Sequence, residues 1–290
     1  MKPRIAFCFS WQARTFDITY TYFKKNLFDA AIEQWFEYDI FCAVEDDSDM
    51  EKIYQMNPTV IEKIESKKVV WVIEKYYQDF ISNSLSRSVF FVENLSWTMF
   101  LNYLQQLYKI SRSNTVKNEY AKKNNILYDV VIRVRFDLLF LDSIDFLDIK
   151  QSIEKNEKSI VLSLPKDTTN IYDVFAFWWN ESMEIYSNMF FQVASLFVIQ
   201  EKRRVHARIY LLLIYLIQFF GKRAHKITVR GILMSFLSIV TSFFRDSWLY
   251  ILDAEHALLK SLHTNNIHII PRQIPFILLK ENPWNNYLHI

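Results

Sequence analysis

The chain has 290 residues, 34 Lys and Arg against 32 Asp and Glu, a net charge of +2 and 51% apolar residues. That length holds one large domain or two small ones, and so balanced a charge argues against a general nucleic-acid binder. Two cysteines, Cys8 and Cys42, are too few for a disulfide framework or a zinc cage, and read as small buried hydrophobes of a reducing, cytoplasmic compartment. Ile5–Phe9 is a short apolar run that predicts a buried parallel strand and is too short for a signal peptide. Polar residues Ser10 to Thr15 follow, then a helix from Asp17 to about Gln34, with Tyr20, Phe23, Leu27, Ala30 and Ala31 at three- and four-residue steps. Tyr38–Val44 predicts a second strand, ending in Glu45-Asp46-Asp47, read as a solvated acidic loop. Val69–Ile73 reads as the third strand, 94–111 as a helix, and the lysine-rich stretch 111–125 as a connection. Asp129–Val134, Ile160–Leu164, Val174–Phe177 and Ile267–Ile270 complete the strands. Strands alternating with helices predict an α/β domain with a mostly parallel sheet, one domain over residues 1–290.

The segment 191–247 departs from that pattern. Between Glu201 and Asp246 there are nine Lys or Arg and no acidic residue, around the apolar runs Ile209–Phe220 and Ile232–Phe244. Each run is shorter than the roughly 20 residues of a membrane span. It reads either as a helical insertion lying on an anionic membrane surface or as two core helices with a basic turn.

Chemistry concentrates in Tyr128–Phe140. Strand alternation places Val131, Arg133, Arg135 and Asp137 on one face, and Ile132, Val134, Phe136 and Leu138 on the other. Charges on a buried strand face need one another or a ligand. Guanidinium groups pair with phosphate, and a carboxylate at the strand tip can hold a divalent cation bridging a diphosphate. The alternative is a structural Arg–Asp network.

These blocks resemble the GT-A-type glycosyltransferase-like proteins of bacterial and viral surface-polysaccharide synthesis. That family has a Ser-Gly-Gln-x-Arg-Thr loop, matched by Ser10-Trp11-Gln12-Ala13-Arg14-Thr15, and an Arg-x-Arg-x-Asp strand, matched by Arg133, Arg135 and Asp137. An Asp-x-Phe-Ala-Phe-Gly segment matches Asp173 to Trp178, and a Glu…Leu…Leu pattern matches Glu255, Leu258 and Leu262. The resemblance implies a GT-A-like (Rossmann-like) fold and sugar transfer from a nucleotide-sugar donor to a polysaccharide, lipid-linked or protein acceptor at the inner membrane face. It implies donor binding by Ser10, Gln12, Arg14, Thr15, Arg133, Arg135 and Asp137. Within that site Arg14 would reach a phosphate and Gln12 a base or ribose edge. Asp173 is the first candidate general base and Glu181 the second. Asp137 is the candidate ligand for Mn or Mg, although the family's Asp-x-Asp motif is broken by Arg135. The competing readings are a non-catalytic binding protein of the same fold and a membrane-surface module.

Glycine is nearly missing, with only Gly221 and Gly231, whereas tryptophan occurs eight times. At ordinary usage of ~7% about twenty glycines would be present. Trp11 and Trp178 stand where the resembling family has glycine, Trp179 follows directly, and Trp284 after Pro283 sits where a type II turn calls for it. The expectation is that these are TGA codons translated as tryptophan but read as glycine in the source.

Overall fold

The computed structural model describes residues 2–82, 97–155, 158–163, 175–178, 180–192, 261–272, 274 and 276–278. Asp173, Trp179, Glu255, Leu258, Trp284 and all of the 191–247 insertion beyond Gln192 lie outside them.

The first strand, β1 (Arg4–Ser10), is an interior strand of a seven-stranded sheet. On one side it pairs in parallel with β2 (Glu37–Glu45), which pairs in parallel with β3 (Val60–Ile64). On the other side β1 pairs in parallel with β4 (Val130–Arg135). After the short strand β5 (Leu138–Phe140), which lies outside this sheet, the chain adds β6 (Ser159–Ser163), β7 (Phe175–Trp178) and β8 (His268–Arg272) to it. The spatial order is β3-β2-β1-β4-β7-β6-β8, with β7 antiparallel to both neighbours and β6–β8 parallel. β5 pairs with β9 (Phe276–Leu278) outside this sheet. The protein is therefore α/β with a mostly parallel, mixed sheet.

Alternation sends β1 and β4 side chains into two cores. Ile5, Phe7, Phe9, Ile132, Val134 and Phe136 face one, and Ala6, Cys8 and Val131 the other. The first is covered by α1 (Phe16–Phe23), a π-helical segment (Lys24–Asp29), α2 (Ala30–Glu33), a 3-10 turn (Met50–Met56) and a later helix, α5. The second lies under α3 (Ser66–Ser82), α4 (Trp97–Asn124) and α6 (Asn180–Ser187); α5 spans Phe146–Glu154. Rings dominate the first core: Phe9 stacks on Phe136 at 5.2 Å and meets Phe23 edge-on at 5.4 Å.

Three expectations are corrected. The run Val69–Ile73 is helical, with Val69, Ile73 and Tyr77 buried at four-residue steps, and the third strand is β3 instead. A short apolar run cannot be told from a helix stripe by its composition alone. Residues 111–124 are not a connection but the second half of α4, buried through Ser113, Asn114 and Lys117. The helix of 17–34 contains a π turn. Ala30 N–H bonds to the Leu27 carbonyl, so the Asn26 carbonyl accepts instead from Ile144 N–H at 3.0 Å. The Asn26 side chain donates to the Phe140 carbonyl at 2.6 Å, and these bonds reward the irregular turn.

A polar knot closes the amino-terminal rim of the sheet. Asp39 of β2 accepts from Arg4 Nε at 2.7 Å, from the Tyr128 hydroxyl at 2.7 Å and from Thr59 Oγ1 at 3.2 Å. Cys8 in β1 and Cys42 in β2 are buried on opposite faces of the sheet, and burial pushes the Cys8 thiol up to about 12 and raises Cys42 as well. The thiolate is the reactive form. Iodoacetamide at pH 8 is expected to label neither cysteine until the protein unfolds; rapid labelling of the native chain would contradict their placement.

The helical run through α2 ends in a Schellman cap. Trp35 N–H bonds to the Ile32 carbonyl at 3.0 Å and Phe36 N–H to Ala31 at 2.9 Å, with Trp35 left-handed at φ 67°. That position belongs to glycine, because a Cβ there costs ~1–2 kcal/mol. Since Trp35 is 74% exposed, its indole returns little by burial. Trp35→Gly is expected to stabilise the fold by about 1 kcal/mol, read as a raised denaturation midpoint, whereas a lowered one would sink this account.

Candidate functional site

β1, β2 and β3 step outward in one direction, and the chain then returns to place β4 on the opposite side of β1. The crevice between the carboxyl ends of β1 and β4 is thus the topological switch point, where open α/β sheets bind ligands. Ser10 ends β1 in register with Arg135, which ends β4. Ser10 and Arg135 follow Cys8 and Arg133 on the face beneath α4.

Arg135 forks onto Asp137, Nε to Oδ1 at 2.9 Å and Nη2 to Oδ2 at 2.5 Å. Lys109 of α4, only 2% exposed, pairs with Glu45 at the tip of β2. Glu45 is therefore drawn out of the acidic loop into the crevice. Between the two cations lies Trp11: its ring centroid is 4.5 Å from the Arg135 guanidinium carbon and 5.8 Å from Lys109 Nζ. Trp11 holds φ 118°, a value open to glycine and sterically closed to side chains with a Cβ. Ser10 Oγ is buried with no hydrogen-bond partner.

The polar face continues beneath β1 and β4. Asn114 donates to Glu184 at 3.1 Å and to Ser187 at 2.9 Å, and Asn118 also donates to Glu184. Lys117 is fully buried near Cys8 and Glu184, and desolvation pulls its ammonium below the usual lysine range. Arg133 is fully buried on the same strand face.

The expected donor-binding residues divide accordingly. Ser10, Arg135 and Asp137 converge at the crevice. Arg133 lies one pleat deeper. Gln12 and Thr15 are half-buried in the loop leading to α1, and Arg14 is exposed. Thr15 Oγ1 has no hydrogen-bond partner although its carbonyl accepts from Ile18 and Thr19. Glu181 is exposed at the start of α6 and is not brought to this crevice. It follows β7, whose last residue, Trp178, pairs with Val131, four residues before Arg135 and about 13 Å down the strand. Trp178 is therefore a strand residue near the far rim, away from Ser10. Sequence reasoning missed Lys109, Asn114 and Lys117, whose three- to five-residue spacing on a helix would have marked a polar buried face.

A divalent metal does not suit the described residues. Both Asp137 oxygens are held by Arg135, and among the described residues no group of three His, Cys, Asp or Glu could hold an ion. Among them, too, no helix is long and apolar enough to cross a membrane. The fold and crevice define an α/β protein with a basic, polar site at the switch point of its sheet. In comparisons with known proteins, no family model and no curated sequence matches the chain.

Proposed function

We propose that the chain is a GT-A-like glycosyltransferase that binds a nucleotide-sugar donor at the β1–β4 crevice. The observation that carries this reading is the meeting of the Ser10–Thr15 loop with Arg135 and Asp137 at the switch point, two motif blocks more than a hundred residues apart in sequence. Departure of the leaving group places negative charge on a diphosphate, and cations fixed where that charge develops lower the barrier. Arg135 supplies such a cation, with Asp137 orienting its fork and Gln12, Arg14 and Thr15 contacting the nucleotide. A general base would take the proton of the acceptor hydroxyl; Asp173 remains the candidate on the motif resemblance. The acceptor is a polysaccharide, lipid-linked or protein hydroxyl, with the protein in the cytoplasm or peripheral at the inner membrane face.

One observation favours a second reading, a non-catalytic binding protein: the Trp11 indole covers both Arg135 and Lys109. Incubation with a panel of nucleotide sugars and an acceptor glycan, scored by nucleoside diphosphate release, separates the two. Donor-dependent release supports the transferase. Donor binding without release supports the second reading, and neither binding nor release removes both.

A further inference from the structure

We propose that position 11 serves as a glycine in the working protein, and that Lys109, Arg135 and Ser10 then form a seat for the donor's diphosphate. The identity of the ligand rests on the nucleotide-sugar reading above.

Backbone geometry carries the first half. Among the described residues five hold positive φ: Asn57, Asn125, Asn266, Trp11 and Trp35. Asparagine is the ordinary substitute for glycine in such conformations, because its short amide bonds locally. Tryptophan has no such advantage, yet it takes the position of largest φ and the glycine position of a Schellman cap. Trp35 plays no part in the motif resemblance, so it is an independent sign that tryptophan in this chain occupies glycine positions.

The second half follows from what the indole displaces. Its ring lies within 6 Å of two cations from different elements, Lys109 on α4 and Arg135 on β4. Without that ring both face a common space, bordered by the buried and unpartnered Ser10 Oγ. Arg135 gives two donors to Asp137 and Lys109 gives one to Glu45, out of five and three. The remaining N–H groups and the Ser10 hydroxyl match the acceptor oxygens of a diphosphate, while Glu45 and Asp137 hold the two cations in position. A glycine at 11 also lets the ligand approach the backbone after β1.

Calorimetric titration with inorganic pyrophosphate tests the seat on the full chain. Trp11→Gly is expected to tighten binding at least tenfold over the chain with tryptophan, and adding Lys109→Met is expected to cancel the gain. Because Lys109→Met strands Glu45, the combination of Lys109→Met with Glu45→Gln is measured beside it and should bind equally weakly. No gain from Trp11→Gly, or a gain that survives both Lys109 variants, overturns the seat. Tandem mass spectrometry of the protein from its own source should find glycine at 11; tryptophan there overturns the first half. Pyrophosphate binding through Lys109 without turnover of any nucleotide sugar sinks the transferase reading and leaves the seat standing. Turnover indifferent to Lys109 does the reverse.

Discussion

Arg135→Ala is expected to lower kcat/KM for nucleotide-sugar turnover by about 10²- to 10³-fold, the usual loss when one fixed donor to a developing charge is removed. The side chain ends β4 beside Ser10 and is held by a two-pronged bond to Asp137, so its position is set before any ligand arrives. Arg135→Lys keeps the charge but loses the planar fork, and should fall between the two. Removing Arg135 also leaves Asp137 as a buried carboxylate without its partner, so a fall in activity could reflect lost structure. The pair Arg135→Ala with Asp137→Asn resolves this: it should recover the thermal midpoint but not the turnover. Activity within twofold of the parent in either variant would remove Arg135 from the donor site.

The second large effect lies at the opposite rim. Asp39→Ala should destabilise the fold by about 2–4 kcal/mol, since it strips partners from Arg4, Tyr128 and Thr59 together. The figure sits below the upper range for buried pairs because Arg4 keeps 29% of its side chain in water. The same knot gives a pH signature. Burial, and then the bond to Asp39, raise the Tyr128 hydroxyl well above the ordinary tyrosine value. Burial does the same to Tyr77, which donates to the Phe190 carbonyl. A group raised in the folded state binds its proton more tightly there, so its contribution is complete below about pH 10 and is lost as pH rises further. Urea midpoints should therefore fall above pH 10, and Tyr128→Phe should flatten part of that fall. A profile unchanged by Tyr128→Phe would place the alkaline loss elsewhere.

The strands most legible in the sequence are those whose neighbours bury both faces. β1, β2, β4, β6 and β7 all read as short apolar runs, because the sheet is covered on each side by helices. β3 was not legible: Val60–Ile64 carries Glu62 and Lys63 at the edge of the sheet, and Glu62 is turned toward Arg112 of α4. The more apolar Val69–Ile73 therefore drew the assignment, though its residues serve one helix stripe. The site was half legible. Alternation along β4 put Arg133 and Arg135 on one face, as they are in the fold, whereas β4 ends at Arg135 and Asp137 lies in the turn beyond it, tied back by the Arg135 fork. Asn114 and Lys117 stayed hidden because a buried helix face built from polar residues has the composition of a linker, and Lys109, inside the expected helix of 94–111, carries no mark of its burial in the sequence. Only the fold reveals that Glu45 and Glu184 are there to receive them.

The π turn at Lys24–Asp29 bears on how this chain tolerates insertions and deletions. A π turn holds one residue more than an α turn, so deleting a single residue there would leave a regular helix with good local geometry. Because the wider turn absorbs the extra residue, the helix beyond would keep its phase, and Phe28, Ala30 and Ala31 would still face the core. Asn26, however, would return its carbonyl to the helix ladder and lose Ile144 and Phe140. The locally more regular helix would be the less stable protein, so the length of this segment is as much a part of its specification as the residues in it.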